Sequence, residues 1–291
     1  MSTAHLRPRL AGSVCVALVL AVGMSVSACE GPADSVSAPG ATSTVSTAPS
    51  TTEPVDQFRP IGPAGSLPSM PPVPVPPPPA EGSGSAALPD GPTIPARGEG
   101  GWRVVPGTSE RVGQGRLYTY TVEIENGVQL PEGDIEFGRA VQATLEDPRS
   151  WAGGGRISVR RIDSGTPSVR IRLVSQETAR ATCGFEIPVD VSCRTSGGVF
   201  LSAARWVRGA VAFKGDLAAY RQYMVNHEVG HAFGNGHEVC HADGAAAPVM
   251  MQQTFSTAND EVADISAGTN QGTRVPRDGK RCAANAWPFP G

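Results

Sequence analysis

From residue 227 to residue 237 the chain reads His-Glu-Val-Gly-His-Ala-Phe-Gly-Asn-Gly-His, and five of these residues have types and spacings that can act together. His227 and His231 are four apart, so on a helix both imidazoles project from one face and can reach a single ion. Gly234 can take the positive φ that ends a helix, turning the chain so that His237 brings a third nitrogen from outside it. Three imidazoles suit a zinc ion whose fourth position stays open for water, the geometry of a catalytic rather than a structural site. Glu228 lies about 100° around the helix from His227, too far round to join the ligands on their face and well placed beside such a water. It is the candidate general base: zinc lowers the pKa of water to roughly 7, and the carboxylate takes the proton as the oxygen attacks a carbonyl. The bland alternative is a buried helix with incidental histidines. Against it, four of the chain's five histidines fall between residues 227 and 241.

These residues need a helix that starts before them and a framework that holds it. Asp216 is a suitable start, Leu217, Tyr220, Met224 and Val225 supply an apolar stripe, and Gly234 stands where a left-handed cap would stop the helix. Upstream, Leu117–Ile124 is rich in aromatic and β-branched residues and predicts a strand. Asp134 can cap a helix in which Phe137, Val141 and Leu145 recur at helical spacing, ending before Pro148. Arg156–Ile162 and Ser168–Val174 read as further strands, the second alternating Val169, Ile171 and Leu173 with Arg170 and Arg172. A cysteine-bounded hairpin is expected from Cys183 to Cys193, and another strand around Val199–Trp206.

On the zinc-type motif the chain resembles the metzincin clan of zinc peptidases. The resemblance implies a methionine-bearing turn beneath the metal, and Pro248-Val249-Met250-Met251 lies at a fitting distance beyond His237. Met250 is the expected turn residue, with Met251 the alternative. The likeness is tight over Asn226–Met251. Upstream, the order of strand, helix, several strands and active-site helix fits the amino-terminal part of such domains. The implied fold is α/β (α+β): a twisted mixed sheet with two main helices, the active-site helix being followed by the methionine turn. The arrangement further resembles an uncharacterised family of secreted and lipoprotein domains from high-GC Gram-positive bacteria. Two positions depart from metzincin patterns. Gln252 and Gln253 follow the methionines where some members carry a tyrosine, and Glu238, which matches a glutamate that meets a freed amino terminus in astacin-like members, has no such terminus nearby in a tethered chain. His241 reads as a solvated loop residue, a substitute ligand or partner of a ligand being the alternative.

The rest of the chain bears on location. Its 291 residues carry a formal charge of -3 with dispersed arginines, which indicates no nucleic-acid footprint. Arg7 and Arg9 precede an apolar run from Ala11 to about Val26, an export signal over residues 1–28. Val26-Ser27-Ala28-Cys29 resembles a bacterial lipobox, so Cys29 is the expected lipidation site, an ordinary signal-peptidase cut after Ala28 being the alternative. Residues 29–98 are rich in Pro, Ser, Thr, Ala and Gly and cannot bury a core; they read as a tether reaching up to roughly 200 Å from a membrane. One catalytic domain, 99–291, remains. It holds Cys183, Cys193, Cys240 and Cys282, which in an oxidising compartment suggest two disulfides. Three pairings are open, and the simplest joins Cys183 with Cys193 and Cys240 with Cys282.

The expectation is an extracytoplasmic, lipid-anchored or secreted zinc metallopeptidase using one Zn²⁺ ion on a peptide or protein substrate. A zinc amidase acting on cell-wall peptides would share every residue named. A zinc-stabilised binding module of the envelope without catalysis is the alternative from a different class; it would have no use for Glu228.

Overall fold

A computed structural model describes residues 84–184, 189–267, 269 and 274–291. The export segment, Cys29 and the tether as far as residue 83 lie outside these residues. Seven strands form one mixed sheet, accompanied by five α-helices. The strands are β1 (Trp102–Val104), β2 (Val112–Gly113), β3 (Arg116–Glu125), β4 (Ile157–Arg161), β5 (Val169–Val174), β6 (Cys193–Thr195) and β7 (Gly198–Ser202). The helices are α1 (Asp134–Glu146), α2 (Gln176–Cys183), α3 (Ala203–Arg208), α4 (Leu217–Ala232) and α5 (Asn259–Ser266). This is the twisted mixed α+β sheet expected from the sequence.

The strands run in the order β2-β4-β3-β5-β7-β6, with β1 paired to β3. The central pairs β4–β3, β3–β5 and β5–β7 are parallel, whereas β6 closes the edge antiparallel to β7. Central position explains why β3 is buried without a break from Tyr120 to Glu125. Its two acids survive burial because they are paired. Glu123 accepts from Arg170 Nη1 at 2.6 Å and Arg172 Nε at 2.9 Å, while Glu125 accepts from Ser175 N and Thr178 Oγ1 at 2.8 and 2.6 Å.

Local chemistry explains where the elements differ from their sequence expectations. Gly133, not Asp134, occupies the cap position of α1, and the Asp134 carboxylate turns instead to Arg103, accepting at 2.6 and 2.9 Å. The apolar stripe Phe137, Val141 and Leu145 is buried as its spacing requires. Cys183 and Cys193 do not bound a hairpin. Cys183 ends α2, which Ser175 caps by accepting from Thr178 N, and Cys193 begins β6, whose hairpin is with β7. The strand expected to run to Trp206 stops at Ser202, whose hydroxyl caps α3 by accepting from Arg205 N at 3.3 Å.

Chain read from composition as tether also packs on the domain. Ala86 and Ile94 are buried, and the buried Arg205 donates to the carbonyls of Ala86, Ala87, Asp190 and Gly209. The main core lies between the sheet and helices α1, α3 and α4, with Phe137 edge-on to Trp206 at 4.7 Å. A smaller core gathers Val191, Cys240, Met251, Phe255, Val262 and Cys282 under the carboxy-terminal chain. Cys183–Cys193 and Cys240–Cys282 are the two disulfides, the neighbour pairing expected.

Candidate metal centre

Helix α4 begins at Asp216, whose side chain accepts from Ala219 N at 2.9 Å. Its end is a Schellman turn: Asn235 N donates to Gly230 O at 3.0 Å and Gly234 N to His231 O at 3.1 Å, with Gly234 at φ 94°. That turn returns the chain so that His237 faces the helix. The ring centroids of His227, His231 and His237 lie 4.6 to 5.4 Å apart, and one ligand nitrogen from each falls within 4.8 Å of the others.

Two hydrogen bonds orient the rings. His227 Nδ1 donates to Val249 O at 2.9 Å, and His231 Nδ1 donates to Asn235 O at 2.8 Å, because a carbonyl can only accept. Both Nε2 atoms are thereby left with lone pairs aimed into the cluster, the arrangement that fixes the tautomer of a metal-ligating histidine. His231 Nε2 and His237 Nε2 stand 3.1 Å apart, near the roughly 3.3 Å separating two nitrogens on one tetrahedral ion at zinc bond lengths. Burial holds His227 well below the ordinary imidazole range, with His231 and His237 adding to the effect. His231 is lowered by burial and by the charge of Arg194. Neutral imidazoles are the form that binds a metal. The donor set fits one cation.

Glu228 is 6% exposed and opens on the same cleft as the three rings. Its carboxylate accepts no hydrogen bond from the described residues, and burial pushes it up to about 8. The cleft, about 380 Å³, is lined by residues of α4, by Gln252, Thr254 and Phe255, and by Thr182–Cys183 with Val191–Thr195. Strand β6 therefore forms part of the site, and among the described residues it is an edge strand of the sheet.

Beneath the histidines the turn Pro248–Met251 is closed by Met251 N donating to Pro248 O at 2.9 Å. Met250 belongs to the main core and packs against Gly230, whereas Met251 belongs to the smaller core. The turn is bound at both ends of the site, since Val249 O takes the His227 hydrogen bond and Met250 O accepts from Glu238 N at 3.0 Å. Gln252 lines the cleft, but Gln253 is buried and donates to Pro248 O and Asn285 O. His241 stands outside the cluster, exposed and 3.6 Å from Glu238.

Several supporting residues gave no usable sequence signal. Asn226 is fully buried, accepts from Ser150 Oγ at 2.7 Å and donates to Ala286 O at 2.9 Å, while its carbonyl accepts from Trp151 Nε1. It ties the chain after α1 and the carboxy-terminal tail to the helix one residue before His227. Asn235 does have a local signal, as an Asn next to Gly at a helix end.

Residues 88–290 match the model of a family described as a protein of unknown function, DUF3152. The chain belongs to this family. No curated protein and no solved structure matches it. The DUF3152 match spans β1 through the carboxy-terminal tail, so it covers all three histidines, Glu228, the turn with Met250, and both disulfides. Its start at residue 88 agrees with the packing of the chain ahead of residue 99 onto the domain. Among the described residues of this DUF3152 chain no helix is long and apolar enough to cross a membrane, and its disulfides suit an oxidising, extracytoplasmic compartment.

Proposed function

We propose that the chain is a metzincin-type zinc hydrolase that cleaves peptide bonds outside the cytoplasm, with His227, His231 and His237 as ligands and Glu228 as general base. The observation that carries this reading is Glu228 itself: a buried carboxylate with no hydrogen-bond partner among the described residues, opening on the cleft that three converging imidazoles share. An unpartnered buried acid costs stability, and a structural metal site has no use for it.

When bound, zinc supplies Lewis acidity, polarising a carbonyl and acidifying water. Glu228 takes the proton that water loses on adding to the carbonyl and returns it to the departing amine, so its protonation state is restored at each turnover. His227 and His231 hold their Nε2 atoms in place through the carbonyls of Val249 and Asn235. Peptide is the favoured substrate class because β6, an edge strand of the sheet among the described residues, lines the cleft, where an extended chain can add to it. Met250 under Gly230 is the turn methionine of this reading. Cys29 is the proposed lipid anchor that holds the enzyme at the membrane.

Metal content and cleavage of a broad peptide library and of purified cell wall, measured on the same protein, test the reading. Stoichiometric zinc with peptide cleavage supports it. Release of wall fragments without peptide cleavage would make the enzyme an amidase of wall peptides. Full zinc with no hydrolysis of either would leave a zinc-stabilised binding module.

A further inference from the structure

Arg194 is the middle residue of β6, and its exposed side chain lines the same cleft as the three histidines. Its charge reaches His231. Among the described lining residues Glu228 is the one acid, and it is buried on α4. Arg194 makes no ion pair with a described residue. The neighbouring arginines of the same sheet are satisfied: Arg170 and Arg172 are both paired with Glu123. Apart from the histidines, the remaining polar lining among the described residues, Thr182, Ser192, Thr195, Tyr223, Gln252 and Thr254, carries no formal charge. Among the described residues the cleft thus presents a guanidinium without a counter-charge, on the edge strand β6. A planar fork of N–H donors in that place complements a carboxylate.

We infer that Arg194 selects substrates that carry a carboxylate within a residue or two of the scissile bond, when an extended peptide lies along β6. The carboxylate is an acidic side chain or a free α-carboxyl, two sources of one chemistry. The inference rests on the hydrolase reading and names its substrate class.

Full-length, zinc-loaded protein is assayed on two sets of peptides. One set exchanges Glu for Gln at each position from two before to two after the cleaved bond, and the other exchanges a free carboxy terminus for its amide. The set that responds identifies the source. At one position wild type should favour the carboxylate by about two- to fivefold in kcat/KM, with the difference in KM, as suits a solvent-exposed ion pair. Added salt should shrink that preference. Arg194→Gln should abolish it, Arg194→Lys should keep part of it, and Arg194→Glu should favour a Lys peptide. Calorimetric binding of the same peptides to zinc-loaded Glu228→Ala reads recognition without turnover. Failure of all hydrolysis would remove the hydrolase reading, while the calorimetric preference would still decide the role of Arg194. Equal treatment of both members in every pair by wild type, or a preference that persists in Arg194→Gln, overturns the inference.

Discussion

Met250 lies directly beneath Gly230, so close that a Cβ at residue 230 would come within 2.5 Å of the Met250 sulfur and 2.7 Å of Trp151 Cζ2. Gly230 sits between His227 and His231 on α4, so the absence of a side chain there lets the turn and the indole support the face that carries both ligands. The methionine end can shift, but Trp151 is held by its Nε1 bond to Asn226 O at 2.8 Å. Gly230→Ala should therefore destabilise the fold by about 1–3 kcal/mol despite its better helix propensity. Zinc affinity should fall with it. Denaturant melts and competitive metal titration read the two effects. An unchanged midpoint would mean that the contact yields freely.

Ligands and base should fail differently. Glu228→Ala should retain near-stoichiometric metal and fold while losing most hydrolysis, because the proton acceptor is gone. His231→Ala should lose metal affinity itself. Elemental analysis beside a cleavage assay separates them; wild-type turnover by Glu228→Ala would exclude the carboxylate from the reaction.

The metal-stripped protein should have a stability maximum near pH 6.5. His227 and His231 have folded pKa values below the unfolded value of 6.5, so the unfolded chain binds more protons below that pH and stability falls with acidification. Glu228, raised from 4.5 to about 8, acts oppositely: the folded state holds a proton that the unfolded state lacks, and stability falls as pH rises toward 8. Urea melts across pH 5 to 9 should show this alkaline arm in wild type and its loss in Glu228→Gln. An equal alkaline slope in both proteins would assign it to other groups.

The disulfides should have separable effects. Cys183–Cys193 joins α2 to β6 at the cleft wall, whereas Cys240–Cys282 anchors the loop just beyond His237. Loop lengths of 10 and 42 residues correspond to about 3 and about 4 kcal/mol in the chain-entropy account. Paired serine substitutions at 183 and 193 should impair peptide turnover more than zinc binding, and those at 240 and 282 should weaken zinc binding more. Identical losses in both assays would argue for a purely global effect.

Arg205 should be critical although it touches no substrate. It is fully buried, and its guanidinium serves carbonyls of Ala86, Ala87, Asp190 and Gly209 instead of a carboxylate. Arg205→Met leaves these acceptors without their donor and should cost about 3 kcal/mol or more. Truncation before Leu88 removes two of the acceptors and should destabilise in the same direction. If the truncated protein melts like the full chain, the strap contributes nothing.

The sequence by itself determined whatever depends on a few neighbouring residues. The four-residue spacing of His227 and His231, the Asp216 cap, the stop at Gly234 and the stripe of Phe137, Val141 and Leu145 follow from helix periodicity and turn chemistry. The parallel core strands were legible from aromatic and β-branched residues in β3 and from the alternation of Val169, Ile171 and Leu173 with Arg170 and Arg172 in β5. Helix α2 escaped notice because only Ala179 is buried in it, leaving no apolar stripe to read. Composition likewise hid the packed strap, since Ala86 and Ile94 are isolated apolar residues among prolines and glycines. Only the tertiary structure decided that Met250 faces α4 while Met251 faces the second core, that Asn226 links three distant segments, and that Arg194 stands on the cleft wall while Arg205 is sealed inside. Those destinations are set largely by contacts between distant parts of the chain, up to 119 positions apart, where no local spacing rule operates and the packing of the whole domain determines which side chain meets which.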